Sequence, residues 1–539
     1  MPKESAVKIR ARSASHIAVV SLLAAALFAA APPVRTQEQE PLESRINKVM
    51  ARPEFAHANF GIEFLALDTG KIIYQHDAQK LFVPASTTKT LTEGALLAKL
   101  GPDFRFHTRV YRLGSLDKKG KLKGDLVLVA GGDPNLSNRV QPDGTLAFMD
   151  EDHSYNGPAL KGDPLAAIRQ IAQSVARKGV REITGRVLID TTLFPDGPRE
   201  GGTNVVMSSI MVNDNVIDVV GTPGAKAGDP VRLETSPKTS YAQFVNRLTT
   251  SPAGSRPVLN DPEIVSNSNG TVQITLTGSL PMGAQPQTAA IAVPSPTLFA
   301  ETVFRETLQQ EGVNIKGGLV TAQPDFKSIA RGYTPENLLA DYVSLPLSEE
   351  IKVTLKVSQN LHAGMGPYLL GALGAGDTAN PLATGFAIEH DFLRAAGLDL
   401  SGVSQGDGAG GDWADLFSPD FMARYMAYWA TRPDFDTFFR ALPILGKDGT
   451  LAKIQVNNPG AGHVFAKTGT FNSEDRLNRK MMLNGKGLVG FVITASGRKL
   501  AFAAYVNHVS LPAEGDAAQE VAGQALGEIA AAAYDAPLN

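Results

Sequence analysis

Residues 84–90 read Pro-Ala-Ser-Thr-Thr-Lys-Thr, and the fold turns on whether this stretch opens a helix. Pro84 suits a helix start, where a missing N–H costs nothing. Leu91, Ala95, Leu96 and Ala98 continue it with an apolar face. A helix turns about 100° per residue, so Ser86 and Lys89 share a face, and hydroxyl and amine come within reach. A serine becomes a nucleophile when a neighbour takes its proton. A lysine can take it when burial or a nearby cation lowers its pKa. Ser-x-x-Lys also recurs elsewhere, at Ser5/Lys8 and Ser115/Lys118 among other places, so its meaning rests on what surrounds it.

Working outward, residues 60–67 and 71–76 carry apolar, strand-forming residues on either side of Asp68-Thr69-Gly70, which predicts two strands joined by a tight turn just before the serine. At the other end of the chain, residues 463–470, 487–495 and 499–508 read as three more strands, the last two joined at Ser496-Gly497-Arg498. An Ala-rich helix over 515–536 follows. The expected fold class is α+β: one antiparallel five-stranded sheet built from both chain ends, with helices against it. Residues 104–334 have another texture, with short strand-like pieces among Gly, Pro, Asn and Thr, and helices at 165–178 and 298–312. We read them as an inserted, β-rich portion of two subdomains, and residues 32–103 with 335–539 as one discontinuous domain. Helices are expected again at 347–356, 361–373, 381–396 and 419–430.

The 539 residues carry a net charge of −3, which gives no reason to expect a nucleic-acid partner. Lys3, Lys8, Arg10 and Arg12 precede an apolar run over residues 17–31, then Pro32-Pro33. This predicts a cleaved signal peptide, residues 1–31, and export, with the periplasm as destination. There are no cysteines, so a thiol nucleophile, disulfides and thiolate metal sites are excluded. None of the nine histidines falls in a zinc-binding spacing, so neither a metal nor another cofactor is expected.

Two further elements complete the pattern. Ser358-x-Asn360 offers a hydroxyl and an amide between two predicted helices. Lys467-Thr468-Gly469-Thr470 places a lysine and hydroxyls on a strand, which suits capture of a carboxylate, with a glycine where a substrate backbone can approach. Ser358 stands 272 residues after Ser86, and Lys467 another 109 after Ser358. The order Ser-x-x-Lys, Ser-x-Asn, Lys-Thr-Gly, with a long first interval, resembles the class C low-molecular-mass penicillin-binding proteins, the D-alanyl-D-alanine carboxypeptidase/endopeptidase family. Gly124-Asp125-Leu126, Gly132-Asp133-Pro134, Asn213-Asp214-Asn215 and Asp448-Gly449-Thr450-Leu451 add to the likeness, which spans roughly residues 45–535.

The resemblance implies a serine peptidase acting on peptidoglycan stem peptides and acylated by β-lactams. Ser86 would be the nucleophile, Lys89 its base, and Ser358 the proton relay to the leaving amine. Asn360 would hold the substrate amide, and Lys467, Thr468 and Thr470 the terminal carboxylate. The backbone N–H groups of Ser86 and Thr470 would form the oxyanion hole. Two stretches depart from the family: Ala363-Gly364, where Ala-Glu is common, and Asp407-Gly408-Ala409-Gly410, where Asp-Gly-Ser-Gly is. Both are expected to bear on substrate preference and rate. The alternatives are a β-lactamase and a non-catalytic peptidoglycan-binding protein on the same scaffold. Taken alone, His362 reads as a packing or surface residue, Asn213-Asp214-Asn215 as structural, and Ser154/Asn156 as a polar loop. The oligomeric state stays open.

Overall fold

Both ends of the chain meet in one antiparallel sheet. A computed structural model describes residues 40–149, 152–319, 322, 324–510 and 517–538; the expected signal peptide, residues 1–31, lies outside them. The sheet has five strands in the order Val464–Asp475, Lys480–Ile493, Lys499–Val509, Asn59–Ala66, Ile72–His76. Strand Lys499–Val509 shows why it sits at the centre. Leu500, Phe502, Ala504 and Val506 face one core, and Ala501, Ala503 and Tyr505 face another. With a side-chain period of two, a strand apolar at successive positions, as this one is over 500–506, must be covered on both faces. Its pairing with Asn59–Ala66 sets Phe64 opposite Phe502, with the rings stacked at 5.4 Å.

Helices Leu42–Met50 and Ala517–Ala532 cover the first face. Helices Lys89–Leu100, Leu347–Val357, Asn360–Gly374 and Pro419–Trp429 cover the second. Where the chain enters residues 84–90, small residues let it lie flat on the sheet. A Cβ at Gly485 would meet Val83 at 2.8 Å, and one at Gly487 would meet Thr87 Cγ2 at 3.0 Å. The expected five-stranded antiparallel sheet is therefore the one observed, with its final hairpin longer than the sequence pattern implied.

Between the two halves, strands His107–Leu116 and Lys121–Val129 found a six-stranded sheet packed on helices Ala166–Arg177 and Pro296–Gln310. A three-stranded and a four-stranded sheet follow within residues 216–292. The boundary expected at residue 335 falls just before strand Leu338–Val343, which pairs with His107–Leu116. No helix among the described residues is long and apolar enough to cross a membrane.

Candidate active site

Ser86 does not sit in the α-helix that the sequence suggested. It lies in a 3₁₀ turn, Ala85–Thr88, and the α-helix begins at Lys89. The reason is Ala85, whose φ of 47° turns the chain sharply before the serine. A 3₁₀ turn has three residues per turn, so positions i and i+3 eclipse. Ser86 and Lys89 are thus closer than α-geometry would make them, with Lys89 Nζ 2.6 Å from Ser86 Oγ.

The same ammonium donates to Asn360 Oδ1 at 2.6 Å and to the Ala409 carbonyl at 2.7 Å. Three acceptors surround three hydrogens, and only one acceptor carries a hydrogen of its own. When Lys89 loses a proton, Ser86 can reverse its bond and donate to the lone pair; Asn360 Oδ1 and the Ala409 carbonyl cannot. The geometry therefore aims the free amine at the serine proton. Lys89 is fully buried. Burial lowers its pKa to about 8 against the opposing pull of Glu200, Asp407, Glu93 and Asp415.

Ser358 closes helix Leu347–Val357 in the left-handed region, with φ 65°, and Gln359 caps helix Asn360–Gly374 by accepting from Leu361 N. The Tyr155 hydroxyl holds this turn, donating to the Ser358 carbonyl at 2.7 Å and accepting from Asn360 N at 2.8 Å. Gln359 Nε2 donates to Ser154 Oγ at 2.9 Å. The 154–156 loop, read from sequence as an unrelated polar loop, thus packs against Ser358 and Asn360 from a distant part of the chain. Lys467 Nζ donates to Ser358 Oγ at 2.8 Å and to the Thr468 carbonyl at 2.9 Å. Burial, with Lys89 and Lys486 nearby, holds its pKa well below the usual lysine range.

Strand Val464–Asp475 reaches the serine because residue 469 has no side chain: a Cβ there would lie 2.3 Å from the Pro84 carbonyl oxygen and 3.2 Å from Ser86 N. Thr470 follows at once on the same strand, next to the point of this close approach. Thr468 Oγ1 donates to Thr450 Oγ1 at 2.8 Å. Thr450 is held by its own turn, where Asp448 pairs with Lys356 at 2.7 Å and a Cβ at Gly449 would strike the Lys356 carbonyl at 2.5 Å. The open space is a cleft of about 760 Å³ lined by Ser86, Ser358, Asn360, Thr468, Thr470 and Lys486, among others. All seven residues singled out in the sequence come together here.

Behind the cleft lies a buried ion cluster. Asp214 accepts from Arg139 at 2.8 Å, His153 Nε2 at 2.7 Å and His362 Nε2 at 3.0 Å. The rings turn their other nitrogens to Asp218 and Glu350, each at 2.8 Å. Burial disfavours charge on either ring, but the facing carboxylates outweigh it and raise both histidines to about 10. His362 is therefore a charged structural residue, not a surface one. Asp152, His153 and Asp214 are spaced to share a cation, and the Arg139 guanidinium already bridges the two aspartates.

Removing one partner of a buried charge set strands the others. Asp214→Ala is expected to cost about 3–5 kcal/mol of stability in chemical denaturation at pH 7; an unchanged midpoint would contradict this account. The stabilisation from the two raised histidines is complete below their ordinary 6.5 and is lost as the pH rises through about 10.

The departures find physical reasons. A Cβ at Gly364 would come to 3.0 Å from Met207 Sδ, so a side chain there would have to displace the end of that methionine. Ala409 serves Lys89 through its carbonyl alone, a contact indifferent to the lost serine hydroxyl. Sequence reasoning missed Tyr155, Thr450 and Lys486 as neighbours of the site. Only Thr450 had a signal, in the Asp448-Gly449-Thr450-Leu451 stretch.

Comparison with known proteins agrees. The chain is 28% identical over 500 residues to a D-alanyl-D-alanine carboxypeptidase of an Actinomadura species, covering 88% of this chain and 86% of that protein. It is 22% identical over 466 residues to the D-alanyl-D-alanine carboxypeptidase DacB of Haemophilus influenzae, covering 84% and 86%. The structure of penicillin-binding protein 4 from Haemophilus influenzae, complexed with a β-lactam, superposes with a TM-score of 0.67 at 20% identity, covering 90% of this chain and 98% of that one. The profile of the D-Ala-D-Ala carboxypeptidase 3 (S13) family matches residues 42–528. With a serine, a buried lysine and a Lys-Thr-Gly strand meeting at one cleft, the chain belongs to the D-Ala-D-Ala carboxypeptidase 3 (S13) family.

Proposed function

We propose that Ser86 attacks the carbonyl carbon between the last two D-alanines of a peptidoglycan stem peptide while Lys89 Nζ takes the Oγ proton. As a member of its family the chain is a serine-type D-Ala-D-Ala carboxypeptidase; the residue roles are our reading. The 2.6 Å contact between a buried lysine amine and Ser86 Oγ carries it. The oxyanion would sit against the N–H groups of Ser86 and Thr470. Ser358, linked to Lys467, passes a proton to the departing D-alanine amine. Asn360 turns its Oδ1 to Lys89, since an ammonium only donates, which leaves Nδ2 for the substrate amide. Thr468 and Thr470 hold the terminal carboxylate, in a field to which Lys467 contributes. Water then releases the acyl group from Ser86.

We extend the proposal to D,D-endopeptidase activity. The cleft runs on past Thr470 to Gln519 and Gln524, which gives a leaving group larger than one residue a place to lie. The proposal further includes acylation by β-lactams, export to the periplasm, and the division into a discontinuous catalytic domain and an insertion over 104–334. Incubation with a stem pentapeptide and with cross-linked muropeptides tests it: free D-alanine is the expected product of the first, and separated stems of the second. A folded protein that releases no D-alanine and forms no covalent adduct with penicillin would overturn it in favour of a binding protein. Rapid turnover of the penicillin adduct would point to a β-lactamase.

A further inference from the structure

Lys486 stands in the cleft without a place in the scheme above. It lies directly across the ladder from Thr470, on the neighbouring strand Lys480–Ile493. The flanking Gly485 and Gly487 face Val83 and Thr87 on the serine side, so the lysine between them faces the other way, beside the hydroxyls of Thr468 and Thr470. Its Nζ donates to Thr470 Oγ1 at 2.6 Å, and the residue is only 9% exposed.

Two consequences follow from chemistry. An ammonium has no acceptor, so Thr470 Oγ1 must accept this bond, and its own hydrogen is left for another acceptor, which a bound carboxylate would supply. The hydroxyl is thereby preset as a donor to an anion. Lys467, the cation that the Lys-Thr-Gly motif suggests for that anion, is committed to Ser358 Oγ and the Thr468 carbonyl. The lysine beside the threonine hydroxyls is Lys486. Glu520 and Lys453 also line this part of the cleft, so both signs of charge are present, and position decides which group meets the substrate.

We propose that Lys486 is a specificity-determining residue whose ammonium reads the terminal carboxylate of the substrate, directly and through the Thr470 hydroxyl. This rests on the carboxypeptidase reading of the cleft and adds to it the residue that distinguishes a free C-terminus from a blocked one. Charge-assisted hydrogen bonds to a carboxylate are the strong ones, and removing one is expected to raise KM about 10- to 100-fold.

The test compares an N-acylated peptide ending in D-Ala-D-Ala with the same peptide as its C-terminal carboxamide. Wild type, Lys486→Met and Lys486→Arg are each assayed for kcat and KM. Lys486→Met should raise KM for the free acid and cut the acid-to-amide ratio of kcat/KM at least tenfold, while Lys486→Arg restores most of it. The ratio is internally controlled, because a misfolded fraction lowers both rates alike. Wild-type activity with an unaltered ratio in Lys486→Met overturns this inference alone. Wild type that cleaves neither peptide and takes no penicillin label overturns the proposed function, and this inference with it.

Discussion

Ser86→Ala is expected to lower kcat/KM on a D-Ala-D-Ala peptide by about 10⁴-fold or more and to abolish the covalent penicillin adduct, read as the mass of the intact protein. The size follows from what the hydroxyl does in the proposed mechanism: it forms the acyl bond, and no later step is possible without it. The fold should tolerate the change. Lys89 keeps two of its three acceptors, Asn360 Oδ1 and the Ala409 carbonyl, and the Ala85–Thr88 turn is set by its backbone. Unfolding midpoints of variant and wild type therefore separate lost chemistry from lost structure. A persistent adduct in the variant would move the nucleophile elsewhere, with Ser358 the first residue to examine.

Acylation by a β-lactam is expected to rise with pH and level off above about 8, where Lys89 loses its proton. The sign is fixed by the role. A base acts in its neutral form, so each pH unit below the pKa costs about tenfold, and at pH 6 the rate should be about 100-fold below its plateau. The cause is burial, opposed by surrounding carboxylates. Lys89→Met, which keeps the length and drops the amine, should lose about 10²- to 10⁴-fold in acylation rate and flatten the profile. A profile that falls with rising pH through 8, or one unaltered in Lys89→Met, would remove the lysine from the base role.

Much of the sheet was legible because its signals are local. Residues 60–67 and 499–508 are short apolar runs rich in strand-forming residues and bounded by turn residues, a pattern that holds wherever those strands end up. The serine turn was read as α-helix because its signals, a proline and a following apolar face, are common to both helix types. What separates them is the positive φ at Ala85, which residue type does not announce. Ser358 is a similar case, a left-handed cap inside a motif recognisable only by its letters.

The sequence by itself determined which chemistry the chain could carry: a serine and lysine one turn apart, a hydroxyl and amide between helices, a lysine with two threonines on a strand, and no thiol. Tertiary structure alone decided how those groups behave. The basicity of Lys89 comes from burial beneath segments around Asn360 and Ala409, both far along the chain. Lys467 turns to Ser358 while Lys486 turns to Thr470, a division set by the register of two paired strands. Tyr155 and Asp214 brace the Ser358–Asn360 turn from a distant part of the chain. Desolvation and hydrogen-bond partnership depend on which distant segments pack together, and for that reason the pKa values and the pairings became readable only once the chain was folded.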